Sequence, residues 1–529
     1  MIRALSGLIL FGLDTRVDLV ASLQRYWGYD AFRPLQEKIV CSLLGGHDTC
    51  VVMPTGGGKS LCYQLPAAIA SAKTVIVISP LIALMQDQVA QLGQMGIAAA
   101  FLNSTLAEKE QSAVIRRAQE GQVRLLYLSP ERLARPDTIE WLRRVPISHF
   151  AIDEAHCISE WGHEFRPEYR KLNGLRDHFP DCTIAAFTAS ATRHVRHDII
   201  EQLRLRDPHK YIASFHRPNL RYIVKQCDSH EQTDLLVRAL RRHAGGSVIV
   251  YSPTIRRVGE TVAFLESEGI PALPYHGKMD AAERRSNQER WMSDEVRVLV
   301  GTVAFGLGIN KATVRTVIHL SLPKSVEQYY QEAGRAGRDG LPADCILLWQ
   351  KRDVGLLTHF IEQTADAPER ERAWQRYHAV RHFVDTPLCR HRQICLHFGE
   401  VTKWESCGAC DVCGCGLQWM EHHAAQQRPG RKRRPLRRDS PAPASRKEAP
   451  GTKTAVAVES ELLDRLRRWR RDTAQEQGVP AFVVLHDTTL EEICGKRPRS
   501  LAELREVRGI GELKAERYGR QILDVVGRR

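Results

Sequence analysis

No stretch of about twenty consecutive apolar residues occurs in the 529-residue chain, so the sequence offers no helix able to span a bilayer. Cysteines at ligand spacing are scarce: most of the 14 are scattered and only one group is spaced to share an ion. That excludes a disulfide framework and points to a reducing compartment. Acidic residues are also in deficit, 62 Asp and Glu against 76 Lys and Arg, for a net charge of +14. Such a balance favours a polyanionic partner, nucleic acid above all. The opening MIRALSGLILFGLDTR carries a short apolar run without a clear small-residue cleavage site. We expect an amphipathic leader or a misplaced start there rather than a secretion signal. Periodic apolar residues are missing between Gly416 and Glu459, where polybasic Arg428–Arg438 precedes a Pro-, Ala- and Ser-rich run. This composition cannot bury a core; it reads as a flexible linker, or equally as a sequence-blind phosphate clamp.

What is present is ordinary globular material, 43% hydrophobic and 26% charged, long enough for about three to four domains. The organising stretch is Val51–Ser60, VVMPTGGGKS. An apolar run gives way to glycines and a Lys-Ser pair ahead of a helical pattern from Leu61, which predicts a strand, a phosphate loop and a helix start. Thr55, Gly56, Gly57 and Gly58 would turn backbone N–H groups onto an anion at the positive helix end. Lys59 would reach the outer phosphates and the Ser60 hydroxyl would ligate Mg²⁺. Met53 stands where the strict pattern has glycine. Upstream, Asp18–Leu44 reads as helical and carries Tyr29, Arg33 and Gln36, a ring, a cation and an amide suited to a purine, or simply a capped helix with core aromatics.

Apolar runs at 74–79, 123–128, 150–152 and 183–187 alternate with helical patterns. They predict a parallel α/β sheet. One run ends in Asp153-Glu154-Ala155-His156, where open sheets of this kind bind ligands. Asp153 can hold Mg²⁺ through water and Glu154 can polarise the water attacking a γ-phosphate. The following loop holds Trp161, His163, Phe165 and Arg166; exposed rings stack on unpaired bases, although a hydrophobic plug under the sheet has the same composition.

A second α/β series starts near Tyr211, with strands expected at 247–252, 296–301 and 315–320. It leads to a glycine-rich run at 301–311 and to Gln331-Glu-Ala-Gly-Arg335-Ala-Gly-Arg338-Asp-Gly. Arg335 and Arg338 lie three apart, on one helix face or at its end, and could neutralise charge as a γ-phosphate leaves.

Phe32-Arg-Pro-Leu-Gln36, the TGGGKS loop, Asp153-Glu-Ala-His-Cys-Ile-Ser-Glu-Trp161-Gly-His163, Thr302-Val-Ala-Phe-Gly306 and Gln331–Gly340 together resemble the RecQ family of DNA helicases, continuously from about Leu23 to Cys413. The resemblance implies two RecA-like α/β lobes with parallel sheets, ATP and Mg²⁺ between them, and unwinding of duplex DNA with 3′-to-5′ polarity. It implies that Tyr29, Arg33 and Gln36 contact adenine, with His156 in the same motif set. Lys59, Ser60, Asp153 and Glu154 would run hydrolysis, and Gln331, Arg335 and Arg338 would close the site. Trp161, Phe165 and Arg166 would fall on the loop that couples DNA binding to hydrolysis. Thr188-Ala-Ser190-Ala191 matches the coupling motif, with Ser190 where Thr is more usual. Ser79, Pro80, Gln88 and His276 are candidate contacts to the DNA backbone, each equally plausible as a turn or cap residue.

Cys407, Cys410 and Cys413 recur at two-residue gaps, and Cys389, Cys395 and Cys415 lie near. Four thiolates suit a closed, structural Zn²⁺ site. The resemblance to the RecQ zinc subdomain selects Cys389, followed by Arg390, as the fourth ligand. The winged helix that many RecQ proteins carry next has no counterpart in 416–459. Residues 460–529 read as helical throughout and resemble the all-α HRDC domain, where Gly509, Gly511 and Lys514 could meet a phosphate or merely form a helix turn. The expected division is 1–207 and 208–350 for the lobes, 351–418 for the zinc region, 419–457 for the linker and 458–529 for the HRDC-like unit. Single-stranded, tailed or forked DNA is the expected partner, possibly with a single-strand-binding protein. The cytoplasm is the expected location, nucleoid-associated in a bacterium.

Overall fold

The computed structural model describes residues 8–11, 15–70, 72–103, 106–242, 245–303, 305, 311–414, 416–420, 454–477 and 481–527. The polybasic tract, Cys415 and most of the glycine-rich run after Gly301 lie outside them.

The first lobe is a seven-stranded sheet in the order Ala99–Leu102, Leu125–Leu128, Thr74–Ile78, Ile147–Ile152, Thr183–Thr188, Thr49–Val52, His209–Ile212. Every pairing is parallel. Thr49–Val52 and Thr74–Ile78 are buried along their whole length, as expected of strands covered by helices on both faces. The second lobe repeats the plan with six parallel strands, ordered Leu220–Gln226, Ala343–Trp349, Val314–His319, Ser247–Tyr251, Val298–Gly301, Ala272–Tyr275. His209–Ile212 pairs with Thr49–Val52, so the boundary between lobes falls in the connector 213–219 and not at 207.

One helical expectation needs correction. Residues 18–44 form two helices, Leu19–Trp27 and Gln36–Leu44. Gly28 ends the first in the left-handed region and Leu35 opens the second there, and Pro34 disfavours a helical residue before it. Tyr29 and Arg33 therefore sit on the intervening loop. The opening residues, read as an amphipathic leader or a misplaced start, pair as a hairpin, Leu8–Phe11 antiparallel with Thr15–Asp18.

Helices Lys351–Glu362, Ala367–Asp385 and Arg390–His397 lead into the cysteine loop. This region holds both lobes: Arg196 donates to the Phe398 carbonyl at 2.9 Å, and His391 Nε2 lies 2.9 Å from the Leu220 carbonyl. The C-terminal unit is five helices, Thr454–Glu476, Ala481–Val484, Asp487–Lys496, Leu501–Arg505 and Glu512–Gly527, around Leu466, Leu490, Ile493, Leu504 and Tyr518.

That unit is docked against both lobes. On the first, Gln94 donates to Gln477 at 2.9 Å, and the backbone at Gly511 lies so near Arg25 that a Cβ would stand 2.6 Å from its carbonyl oxygen. On the second, Asp487 lies 3.7 Å from Lys311, and Arg467 lies 3.5 Å from Asp294. The phosphate reading of Gly509, Gly511 and Lys514 is thereby corrected. Gly511 serves a backbone-to-backbone contact, and Lys514 is buried, with burial pushing its ammonium down to about 8.

Candidate active site

The phosphate loop follows strand Thr49–Val52 and ends where helix Lys59–Ile69 begins, with Gly58 as N-cap in the left-handed region. Gly56 and Gly58 have φ of 83° and 82°, conformations a side chain would strain. At Gly58 a Cβ would also stand 2.4 Å from Gln36 Nε2. Gln36 is buried and donates to the Gly58 carbonyl at 3.1 Å while accepting from the Arg33 N–H at 2.8 Å. Arg33 donates to the Gly56 carbonyl. Arg33, on the connecting loop, and Gln36, at the start of helix Gln36–Leu44, thus brace the phosphate loop, while half-buried Tyr29 packs against the hydrophobic core.

Lys59 reaches back to the Met53 carbonyl at 3.2 Å. Burial lowers its pKa, while Glu154 and Asp153 pull it back up. Asp153 ends strand Ile147–Ile152, and Glu154 follows with φ of 47°, a strained conformation typical of functional positions. Burial and the neighbouring Glu154 push Asp153 up to about 7, against the opposing pull of Lys59. Burial would raise Glu154 as well, but the His156 hydrogen bond and charge, with Lys59, hold it down at about 2. The result is one carboxylate committed to its charge beside one whose charge needs a further cation, a fitting donor set for Mg²⁺ together with the Ser60 hydroxyl.

His156 links this pair to the rest of the lobe. Its Nδ1 lies 3.2 Å from Glu154 and 2.9 Å from the Thr188 hydroxyl, and its ring stacks on His163 at 4.8 Å between centroids. Tyr169 donates to the Asp153 carbonyl at 2.9 Å. Gln331, on second-lobe helix Val326–Ala333, donates to Ser190 at 2.8 Å and also engages His163. The serine hydroxyl therefore serves as acceptor at the position where Thr is more usual.

Arg335 and Arg338 lie beyond the end of that helix, in a turn. Across the cleft, a Cβ at Gly56 would stand 3.1 Å from Arg338 Cγ, so the arginine lies on the phosphate loop. Burial, and then Arg335 and Arg217, lower Arg338 to about 9. Arg335 is buried beside Tyr251. Arg217, in the connector, reaches carbonyls of both lobes. Sequence reasoning missed it, because a lone arginine bonding backbone carbonyls leaves no motif.

The proposed DNA-facing residues divide. Trp161 is 45% exposed, edge-on to His194 at 4.5 Å and with the Arg372 guanidinium 5.9 Å away. Phe165 has Arg170 over its ring at 5.9 Å, and Arg166 donates to the Pro80 carbonyl at 3.3 Å. His276 is half-buried after strand Ala272–Tyr275, and Gln88 accepts from Gln64 inside the first lobe. Ser79 is buried just past the end of strand Thr74–Ile78.

The Sγ atoms of Cys389, Cys407, Cys410 and Cys413 all lie within 4.8 Å of one another. Zn–S bonds of about 2.3 Å require S–S edges of about 3.8 Å, so the four sulfurs fit a closed tetrahedron. Backbone N–H groups of Arg390 and Ala409 donate to Cys410 and Cys407 at 3.4 and 3.3 Å. Arg390 pairs with Asp411 at 3.0 Å, bracing the loop. Among the described residues, no helix is long and apolar enough to cross a membrane.

Residues 33–198 match the DEAD/DEAH box helicase family, 231–340 the helicase conserved C-terminal domain, 351–414 the RecQ zinc-binding domain and 459–526 the HRDC domain. Among curated proteins, the ATP-dependent DNA helicase RecQ of Haemophilus influenzae is 33% identical, with 95% of each chain covered. The protein of the same name from Bacillus subtilis is 35% identical, over 95% of this chain and 97% of its own. Among solved structures, Mss116p bound to ssRNA and AMP-PNP aligns with a TM-score of 0.53 at 16% identity, covering 70% of this chain and 86% of that one. The DUF1998 helicase MrfA bound to DNA gives 0.53 at 18%, covering 63% and 51%. At those identities the solved structures speak to the fold alone, whereas the curated relatives match along nearly the whole length, and the chain belongs to the RecQ family of ATP-dependent DNA helicases.

Proposed function

We propose that the chain is an ATP-driven motor that moves along single-stranded DNA with 3′-to-5′ polarity and separates duplexes during recombination, repair and replication. The observation that carries this reading is the meeting of Arg338 with Gly56 across the cleft, beside the Gln331–Ser190 hydrogen bond. A nucleotide on the phosphate loop would be touched from both lobes, so its binding and hydrolysis would change their separation.

Lys59 holds the outer phosphates, and Tyr29, Arg33 and Gln36 line the adenine side. Ser60 and Asp153 would hold Mg²⁺, which when bound neutralises phosphate charge and orients the γ-phosphate for in-line attack. Glu154, kept ionised by His156 and Lys59, polarises the attacking water. Arg335 and Arg338 stabilise the charge that develops on the transferring group. His163 and Gln331 connect the acids to the loop bearing Trp161 and Phe165, where unpaired bases stack. The single strand left behind calls for a single-strand-binding protein as partner, and the nucleoid is the matching location in a bacterium.

The test is strand displacement on 3′-tailed, 5′-tailed and blunt duplexes, with ATP turnover measured with and without single-stranded DNA. Unwinding of the 3′-tailed duplex alone, with DNA-stimulated turnover abolished by Lys59→Ala, is expected. Equal unwinding of both tailed duplexes would reject the polarity, and unstimulated turnover would reject the motor.

A further inference from the structure

Arg217 lies in the connector between the lobes and donates to carbonyls on both. Its Nη1 is 3.0 Å from the Thr55 oxygen of the phosphate loop and 3.5 Å from the Gly334 oxygen. Its Nη2 is 3.2 Å from the Ala336 oxygen and 3.1 Å from that of Gly337. Two residues on, Asn219 Nδ2 donates to Gly337 and Leu341 at 2.8 and 3.0 Å. We infer that Arg217 is a positioning residue for ATP hydrolysis, setting the distance between the phosphate loop and the turn that carries Arg335 and Arg338.

Bracing the turn that follows helix Val326–Ala333 would account for the bonds to Gly334, Ala336 and Gly337. It does not account for Thr55, which belongs to the opposite lobe and is one peptide from Gly56, where Arg338 rests. One rigid planar group thus spans the two surfaces that must meet at a γ-phosphate. Only a guanidinium offers two terminal nitrogens held in a plane, each able to serve two carbonyls; an ammonium supplies the charge without the fork. Arg217 also lies near enough to Arg338 to help lower its pKa. Arg217 lies between strand His209–Ile212 of the first lobe and strand Leu220–Gln226 of the second, so its bonds to both sides define their spacing in this arrangement.

The inference rests on the proposed role of Arg338, and a double-mutant cycle keeps the two separable. Arg217→Ala, Arg217→Lys, Arg338→Ala and the double variant Arg217→Ala/Arg338→Ala are compared in the full chain with saturating single-stranded DNA, by single-turnover ATP hydrolysis, KM for ATP and thermal unfolding. Arg217→Ala is expected to lower the hydrolysis rate at least tenfold with KM within about threefold of the parent. Arg217→Lys should fail to restore it, and adding Arg217→Ala to Arg338→Ala should cost less than twofold more. Additive losses in the double variant, full activity of Arg217→Lys, or a parent-like rate for Arg217→Ala would overturn the inference while leaving Arg338 in place. If Arg217→Ala does not fold, the Arg217→Lys rate alone and in the Arg338→Ala background decides by the same criteria. Undiminished hydrolysis by Arg338→Ala would overturn the site reading, and the inference with it.

Discussion

Replacing Asp487 with alanine should loosen the C-terminal helical unit where it meets the second lobe. Asp487 is buried, forms an ion pair with Arg470 at 2.8 Å and lies 3.7 Å from Lys311 Nζ. Lys311 and Arg470 are both wholly buried. Lys311 also pairs with Asp294 at 2.7 Å and donates to the Trp291 and Met292 carbonyls, so it keeps partners when Asp487 is lost. Arg470 keeps its bond to the Leu485 carbonyl at 2.9 Å, while its Nε and Nη2 have no hydrogen-bond partner among the described residues. Breaking a buried pair by removing one partner typically costs about 3–5 kcal/mol, because a charge is left uncompensated. With Lys311 still paired, the lower end, about 3 kcal/mol, is the expected figure, or roughly a hundredfold in the equilibrium for local opening around Asp487. Burial raises the Asp487 carboxyl, yet Arg470 and Lys311 outweigh it and hold it below the ordinary range. The contribution is therefore complete above the free carboxyl's pKa of about 3.9 and is lost as pH falls through the lower folded value. Amide hydrogen exchange at pH 7 across 291–294 and 485–490 should accelerate by about two orders of magnitude in Asp487→Ala. Exchange within threefold of the parent would refute the buried-charge argument.

Lys514→Met should stabilise the C-terminal unit. The free side chain titrates near 10.5 and the buried one near 8, so stability rises as pH climbs between those values. Below pH 8 the fold bears a penalty of up to about 3 kcal/mol, and denaturant unfolding at pH 7 should recover about 1–3 kcal/mol of it. Chelation of zinc, or Cys410→Ser, should open the cysteine loop, since a structural site contributes about 10 kcal/mol or more. A thiol reagent should then modify the remaining ligand cysteines while buried Cys62 stays protected. Gln331→Ala should leave basal ATP turnover intact but reduce its DNA stimulation about tenfold, as the bond to Ser190 is lost.

The parts of the site legible in the sequence are those whose chemistry is local. A run of glycines before Lys-Ser, two acids ending an apolar strand and cysteines at two-residue gaps each carry their geometry within a few residues, and the structure brings all three into the arrangements their spacing implies. The alternating α/β pattern likewise located the central strands, with ends up to three residues out. What stayed hidden depends on distant backbone. Arg217 bonds only to carbonyls, which every residue has, so no partner type marks it. Gly511 reads as a turn glycine until Arg25 is placed against it. Lys514 could be read as meeting a phosphate because burial of a lysine is set by what packs over it. His209–Ile212 is mostly exposed and edge-paired, with little apolar pattern to attach it to the first lobe.

The central claim is that a triphosphate on the first lobe is completed by Arg338 from the second. The most direct measurement is DNA-stimulated ATP hydrolysis by Arg338→Ala beside its ATP affinity. A fall of about a thousandfold in rate, with affinity changed less than about threefold, is predicted. A parent-like rate at saturating ATP and DNA would contradict it.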